Sequence, residues 1–382
     1  METADLVDRS KIVVLVTGAS GYVALHCVKQ LLEAGYSVRG TVRSKKNEQK
    51  IRPLLVLPNA ALRLELVEAD LLKPDGWDSI VDGCTYVLHV ASPWPIVADE
   101  TTVLTAVKGT QCVLQAAART RSVKKVVLTS SCSAINDGHR NDERIFDETC
   151  WANLESPKVE YYARSKTLAE RSAWEFWEKL DKDTRFQLTV LNPTFITGPV
   201  LSDVENGSCT IIGRIMHLKT FLACPKACLG LVDVRDVAKA HILAMTNSAT
   251  DGERILIHAE SGWFSDIAKW LFTEFRNKGY PITIFTAPNW VLKLYAKLGI
   301  DPIVEAVLPR VGPELRFDNT KSKTLLEMSY IDPHQSVISM IYSMIEHKMV
   351  KTTRKLAKIQ RKQAKKQREN PDFNENFVST QS

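Results

Sequence analysis

Tyr162 stands four residues before Lys166 in the stretch Tyr162-Ala-Arg-Ser-Lys166. On a helix that spacing puts the phenol and the ammonium one turn apart on the same face. A free tyrosine titrates near pH 10, too high for good acid–base work at neutrality, and a lysine beside it stabilises the phenolate. Tyr161 lacks this arrangement, because the residue four positions on is Ser165. Upstream, the apolar run Lys125–Thr129 ends in Ser130-Ser131, and the Ser131 hydroxyl can donate to an oxygen on which negative charge develops. Such a trio suits proton delivery to a carbonyl oxygen while hydride reaches its carbon.

A hydride needs a carrier, and Thr17-Gly-Ala-Ser-Gly-Tyr-Val-Ala24 suggests one. The β-branched run Ile12–Val16 before it reads as a strand buried on both faces. Gly18 and Gly21 supply conformational freedom and close approach, and Ala24 is small enough to keep the following helix near the strand. Tyr22–Ala34 reads as that helix, ended by Gly35. Its N-terminus, with Gly18, Ser20, Gly21, Tyr22 and Val23, is a seat for a dinucleotide pyrophosphate.

The second strand, Tyr36–Val42, leads into Thr41-Val-Arg43-Ser-Lys-Lys46. An NAD site places an acid about 20 residues after the glycines to hold the ribose 2′-hydroxyl. Here no carboxylate occurs between Tyr36 and Lys46, and Arg39, Arg43, Lys45, Lys46 and Lys50 are basic. Guanidinium and ammonium groups suit a 2′-phosphate, so NADP(H) is the expected cofactor.

The chain has 382 residues, 45% hydrophobic and 25% charged, ordinary values for a globular enzyme. No apolar run reaches the ~18 residues of a membrane span, and the acidic N-terminus is unlike a signal peptide. Cys27, Cys84, Cys112, Cys132, Cys150, Cys209, Cys224 and Cys228 show no framework spacing, which suggests reduced thiols and a cytoplasmic setting. Cys224 and Cys228 form the one close pair, without a second pair or nearby histidines, so no metal site is expected. Of the net charge of +6, residues 351–369 carry +8, which leaves the rest of the chain at −2.

Strands alternate with helices in the βαβ manner. Leu62–Val67, Tyr86–Val90, Lys125–Thr129 and Phe186–Leu191 read as further strands, with a long helix over Asp99–Ala118 and another carrying Tyr162 and Lys166 to about Leu180. Gly18, Asp70, Ser92, Ser131 and Pro193 all follow strand ends, where ligands gather in such sheets. The fold class expected is α/β: a Rossmann doubly wound parallel sheet, a smaller C-terminal substrate lobe, and a basic tail, helical or disordered.

The segments TGASGYVA, VRGTVRS, EADLLKPDGWDSIVDGC, LHVASP, VVLTSS, DETCW, YYARSKTLAE and NPTFITGP, in this order, resemble the extended short-chain dehydrogenase/reductases of the NAD-dependent epimerase/dehydratase family. The likeness is to the dihydroflavonol 4-reductase-like branch, covers about Lys11–Asp236 and fades after His258. It implies a Ser131–Tyr162–Lys166 triad, with NADP(H) contacts from Gly18–Val23, Arg43, Lys50, Asp70, Leu71, Val90, Ala91, Ser92, Thr129 and Pro193. It also puts Thr194 near the nicotinamide and Asn136 against substrate. Lys158-Val-Glu-Tyr-Tyr162 departs from the signature of cinnamoyl-CoA reductases, and the segment from Pro199 to Gly230 has no plant-like pattern, so a flavonoid substrate is not implied.

The domain limits expected are an arm over 1–10, the NADP-binding domain over 11–194, a substrate lobe mainly over 195–350 with 229–258 returning to the first domain, and the tail over 351–382. Phe221, Trp263, Phe264, Trp270, Phe272, Phe275, Trp290 and Tyr295 make the lobe apolar, chiefly as its core. The function expected is NADPH-dependent reduction of a ketone or aldehyde to an alcohol, with a small carbonyl or alcohol substrate. The alternatives are a 3β-hydroxysteroid dehydrogenase, a sugar-nucleotide epimerase/dehydratase, or an idle NADP-binding module. The tail is a solvated extension, or an electrostatic contact for an acidic surface.

Overall fold

The computed structural model describes residues 8–93, 98–139, 144–157, 159–218, 222–298, 308 and 311–369. Lys158, Phe221 and the last stretch, 370–382, lie outside the described residues. The elements in chain order are β1 (Val13–Val16), α1 (Tyr22–Glu33), β2 (Ser37–Val42), α2 (Glu48–Leu55), α3 (Ala60–Arg63), β3 (Leu64–Glu68), α4 (Trp77–Val81), β4 (Tyr86–His89), α5 (Glu100–Arg119), β5 (Lys125–Thr129), α6 (Ser133–Asn136), β6 (Ile145–Phe146), α7 (Tyr161–Glu178), β7 (Gln187–Pro193) and β8 (Phe195–Thr197). Then come α8 (Gly207–Ile215), β9 (Cys228–Asp233), α9 (Val234–Thr246), β10 (Glu253–Ile257), β11 (Glu260–Trp263), α10 (Phe264–Phe275), α11 (Asn289–Lys297), β12 (Arg316–Phe317), α12 (Thr320–Leu325), α13 (Pro333–Glu346) and α14 (Arg354–Glu369).

Seven strands form one sheet in the order β10-β7-β5-β4-β1-β2-β3, parallel throughout. The order reverses between β1 and β4, which opens a crevice beyond the carboxyl ends of the strands. Leu15, Val87, Val126, Leu128, Leu188 and Val190 are buried against Val113, Leu114, Ala116 and Ala117 of α5. Each fully buried aliphatic side chain of this kind is worth about 1.5–3 kcal/mol. Asp99 caps α5 in a reciprocal arrangement with Thr102, which fixes where the helix starts. The third strand begins at Leu64 rather than Leu62, because Asn59 in a left-handed conformation starts the short turn α3.

The chain divides into two compact units. The first comprises Met1–Ile196, Gly230–Ser261 and Leu315–Ile331; the second comprises Thr197–Leu229, Gly262–Glu314 and Asp332–Ser382. The expectation that the lobe runs through to residue 350 is corrected for Leu315–Ile331. That segment belongs with the first unit because β12 pairs in parallel with β6 in a small two-stranded sheet there, and Phe317 packs near Phe146 and His258. Asn319 Nδ2 donates to the His258 carbonyl at 2.7 Å, and the Ile331 N–H donates to Asp236 at 2.8 Å.

In the second unit α10 packs on α13, with the Phe275 and Tyr342 rings 4.9 Å apart. Phe264 and Phe275 are buried there as core, whereas Trp290 on α11 is exposed. The basic segment is also not wholly a free tail. Its start is built into this unit: Leu356 is 3% exposed, Tyr280 donates to the Lys351 carbonyl at 3.1 Å, and Thr353 donates to the carbonyl of Lys278. From Lys358 the helix α14 shows exposed charges at Lys358, Arg361, Lys362 and Lys366. No helix among the described residues is long and apolar enough to cross a membrane.

Candidate active site

The glycine turn after β1 is held by its neighbours' hydroxyls. Gly18 has φ +64°, and a Cβ there would meet Ala91 Cβ at 3.0 Å, so both conformation and space demand glycine. The Gly18 N–H donates to Thr41 Oγ1 at 2.8 Å. Thr17 Oγ1 accepts from the Ala91 N–H at 2.9 Å and pairs with His89 Nδ1 at 2.9 Å. These bonds lock the ends of β1, β2 and β4 together, which places Gly18 against Ala91. Gly21 then starts α1 with no side-chain cap and no acid in the first turn. The amide groups and the positive end of the helix are thus left for an anion.

Arg43 is exposed just past the end of β2, and Lys50 lies in the first turn of α2, whose start is capped by Asn47. Arg39, counted in the same basic cluster from sequence, is engaged elsewhere. Its Nε donates to Glu65 at 2.7 Å, and its Nη1 donates to the carbonyls of Ile80 and Asp82 at 2.9 and 2.7 Å. The reason is strand alternation: Arg39 pairs in register with Glu65 on β3. Asp70 folds back on its own loop, accepting from the Leu72 N–H at 3.0 Å. Leu71 is packed against α5 at Gly109, where a Cβ would approach Leu71 Cβ to 2.9 Å.

Two of the three residues expected from sequence to handle the proton, Ser131 and Lys166, lie at the end of β5. Ser131 is 7% exposed, and its Oγ accepts the Ser133 N–H at 3.1 Å, which leaves its own hydrogen for another acceptor. Lys166 is 8% exposed, and its Nζ donates to the Thr129 carbonyl at 3.3 Å. Burial pushes the Lys166 ammonium down to about 8, while the Glu170 carboxylate opposes that fall. Lys166 therefore stays charged near neutrality. Tyr162 is half-buried on the same helix, and Tyr161 beside it is 49% exposed. Asn136 closes α6, and its Oδ1 is buried with no partner among the described residues. Thr194 follows Pro193 at the end of β7, its N–H donating to the Ile257 carbonyl at 3.0 Å.

Two histidines that sequence reading passed over underpin this floor. His241 on α9 has Nδ1 2.7 Å from the Val237 carbonyl, so Nδ1 is the donor and Nε2 accepts from the Thr129 hydroxyl at 2.6 Å. Burial takes His241 down to about 4 and His89 to about 3, the Lys166 charge adding to the fall for His89. Both are neutral spacers that orient threonines. A histidine at the end of the apolar strand Tyr86–His89 was the available signal.

Residues 14–257 match the family model described as the NAD dependent epimerase/dehydratase family. The chain belongs to this family. It is 40% identical over 253 residues to cinnamoyl-CoA reductase CAD2 of Medicago truncatula, spanning 64% of this chain and 76% of that one. It is 32% identical over 338 residues to the NADPH-dependent methylglyoxal reductase GRE2 of Saccharomyces cerevisiae, spanning 83% and 93%. The crystal structure of yeast methylglyoxal/isovaleraldehyde reductase Gre2 complexed with NADPH superposes with a TM-score of 0.72 at 29% identity, covering 88% of this chain and 99% of that one. The dihydroflavonol reductase-like resemblance and the Rossmann fold read from sequence are thus borne out.

Proposed function

We propose that this chain is an NADPH-dependent reductase of ketones or aldehydes, with Ser131, Tyr162 and Lys166 as its catalytic residues. One observation carries the reading. A buried but charged lysine, tied to the carbonyl at the end of β5, sits one turn after a half-buried tyrosine and beside the strand end that bears Ser131. The relatives named above, a cinnamoyl-CoA reductase and an NADPH-dependent methylglyoxal reductase, support the same class.

The chain's residues fit the cofactor: the uncapped N-terminus of α1 and the glycine turn suit a pyrophosphate, and Arg43 with Lys50 suits a 2′-phosphate. Asp70, Leu71, Val90, Ala91, Ser92 and Thr129 would add further cofactor contacts, with Pro193 and Thr194 near the nicotinamide. NADPH supplies the hydride when bound. Ser131 donates a hydrogen bond to the carbonyl oxygen and holds it as charge develops. Tyr162 gives that oxygen its proton. Lys166 stabilises the phenolate left behind and brings its acidity toward neutrality. Asn136, with its buried Oδ1, accepts from a donor on the substrate.

The deciding experiment follows NADPH absorbance with the purified chain across aldehydes, ketones, hydroxysteroids and sugar nucleotides. Turnover of simple carbonyl compounds supports the reading. Turnover confined to steroids or sugar nucleotides overturns the substrate class, and tight NADPH binding without turnover of anything overturns the enzymatic one. The setting we propose is cytoplasmic, with α14 as a contact for an acidic surface, since it exposes Arg354, Lys355, Lys358, Arg361, Lys362 and Lys366.

A further inference from the structure

Four residues past Lys166 on α7, Glu170 is 0% exposed. Tyr162, Lys166 and Glu170 recur at the same spacing and so share one face of the helix. Glu170 Oε2 accepts from the Ser130 hydroxyl and from Asn192 Nδ2, the latter at 2.8 Å. The same Asn192 Nδ2 donates to the Ser131 carbonyl at 3.2 Å. Glu170 Oε1 accepts from Arg254 Nε of β10. Arg254 is itself fixed, donating through Nη1 to the carbonyls of Glu148 at 2.7 Å and Cys150 at 2.9 Å, with its guanidinium 3.6 Å from the centre of the Trp151 ring.

Stability alone does not account for this pair. Taking two opposite charges out of water costs several kcal/mol per ion, and well-packed apolar residues in their place are often neutral or stabilising. What the pair does is geometric. It joins α7, which bears Tyr162 and Lys166, to the ends of β5 and β7, which bear Ser130, Ser131 and Asn192.

We infer that Glu170 is a positioning residue of this active site: clamped by Arg254, it aligns the Tyr162–Lys166 face of α7 with Ser131 and keeps a negative charge one turn from the Lys166 ammonium. The inference rests on the catalytic reading of Tyr162 and Lys166 above. The charges around Lys166 are few. Its own helix brings Tyr162 and Glu170, β4 brings the neutral His89, and β10 brings Arg254 through Glu170. The helix α6 has no charged residue, and the charged residues of α5 (Glu100, Lys108 and Arg119) are exposed. Glu170 is thus the one carboxylate, among the described residues, that acts on the Lys166 ammonium.

The test is Glu170→Gln, which keeps the shape and the acceptor oxygen but removes the charge. Lys166 is titrated by NMR in protein carrying 13C-labelled lysine, with kcat and NADPH affinity measured on the same samples. The Lys166 midpoint should drop by about half a unit or more, and kcat at pH 7 should fall about tenfold or more. NADPH affinity should stay within about twofold. Should Glu170→Gln fold poorly, the double variant Glu170→Met/Arg254→Met, which removes both charges, should recover a wild-type melting temperature and still turn over slowly. An unmoved Lys166 midpoint with wild-type kcat overturns the inference, and so does wild-type kcat in the double variant. If the midpoint moves while Tyr162→Phe is as active as wild type, the catalytic reading fails and the electrostatic clamp stands.

Discussion

Lys166 Nζ donates to the carbonyl oxygen of Thr129 at 3.3 Å, while the hydroxyl of the same threonine donates to His241 Nε2 at 2.6 Å. One residue at the end of β5 therefore fixes a helix on either side of it, α7 through its backbone and α9 through its side chain. Ser131 lies two residues further on. The lysine and the serine are set by a single strand end, and Tyr162 is set by the lysine's own helix.

Tyr162→Phe keeps the ring and its packing but deletes the proton donor. Its turnover should fall by ~10²–10⁴ with NADPH affinity retained. Tyr161→Phe, at an exposed neighbour with no lysine one turn on, should remain active. Steady-state rates on one confirmed carbonyl substrate decide this, and equal activity of the two variants would rule out the triad.

Arg43→Ala should weaken NADPH binding about tenfold or more, since a charge-assisted contact is worth about 1.5–3 kcal/mol. NADH binding should barely change. Arg39→Ala should leave the ratio between the two cofactors alone, because its guanidinium is engaged by Glu65 and two carbonyls. Cofactor titrations of both variants check the pair, and an equal loss for NADH and NADPH in Arg43→Ala would refute it.

The depressed Lys166 makes activity and stability respond to alkali in opposite directions. Its folded value is about 8 against 10.5 ordinarily, so between these values the unfolded chain binds the extra proton. The contribution of Lys166 to stability therefore rises with pH across that window. Activity should decline over the same range, as the charge that stabilises the phenolate is lost. Melting temperatures and kcat/KM measured from pH 7 to 10, with Lys166→Met as reference, test both signs.

Removing residues 361–382 should leave turnover of a small substrate intact, whereas removal from residue 351 should lower the melting temperature by several degrees. The second cut takes Leu356 out of its buried position and breaks the bonds at Lys351 and Thr353. If α14 meets an anionic surface, retention on anionic vesicles should be lost with the shorter cut and weaken as salt rises. Salt-insensitive retention would argue against an electrostatic contact.

The chain's local patterns were enough to read the parallel sheet, the glycine turn, the helix with Tyr162 and Lys166, and the strand ends where they meet. Those features depend on neighbours within a turn or a strand: β-branched runs, Gly18 where only a left-handed residue fits, an acid at Asp99 to start α5. Partners far apart in the chain were not legible. Arg39 looked like a cofactor cation until its register with Glu65 on β3 engaged it. Leu315–Ile331 looked like lobe until β12 paired with β6, and Leu356 looked like tail until it was buried. Glu170 and Arg254, 84 residues apart, carry no local mark of each other. Their meeting is decided by which strand ends the sheet brings together, and only the tertiary structure sets a buried charge beside the opposite one.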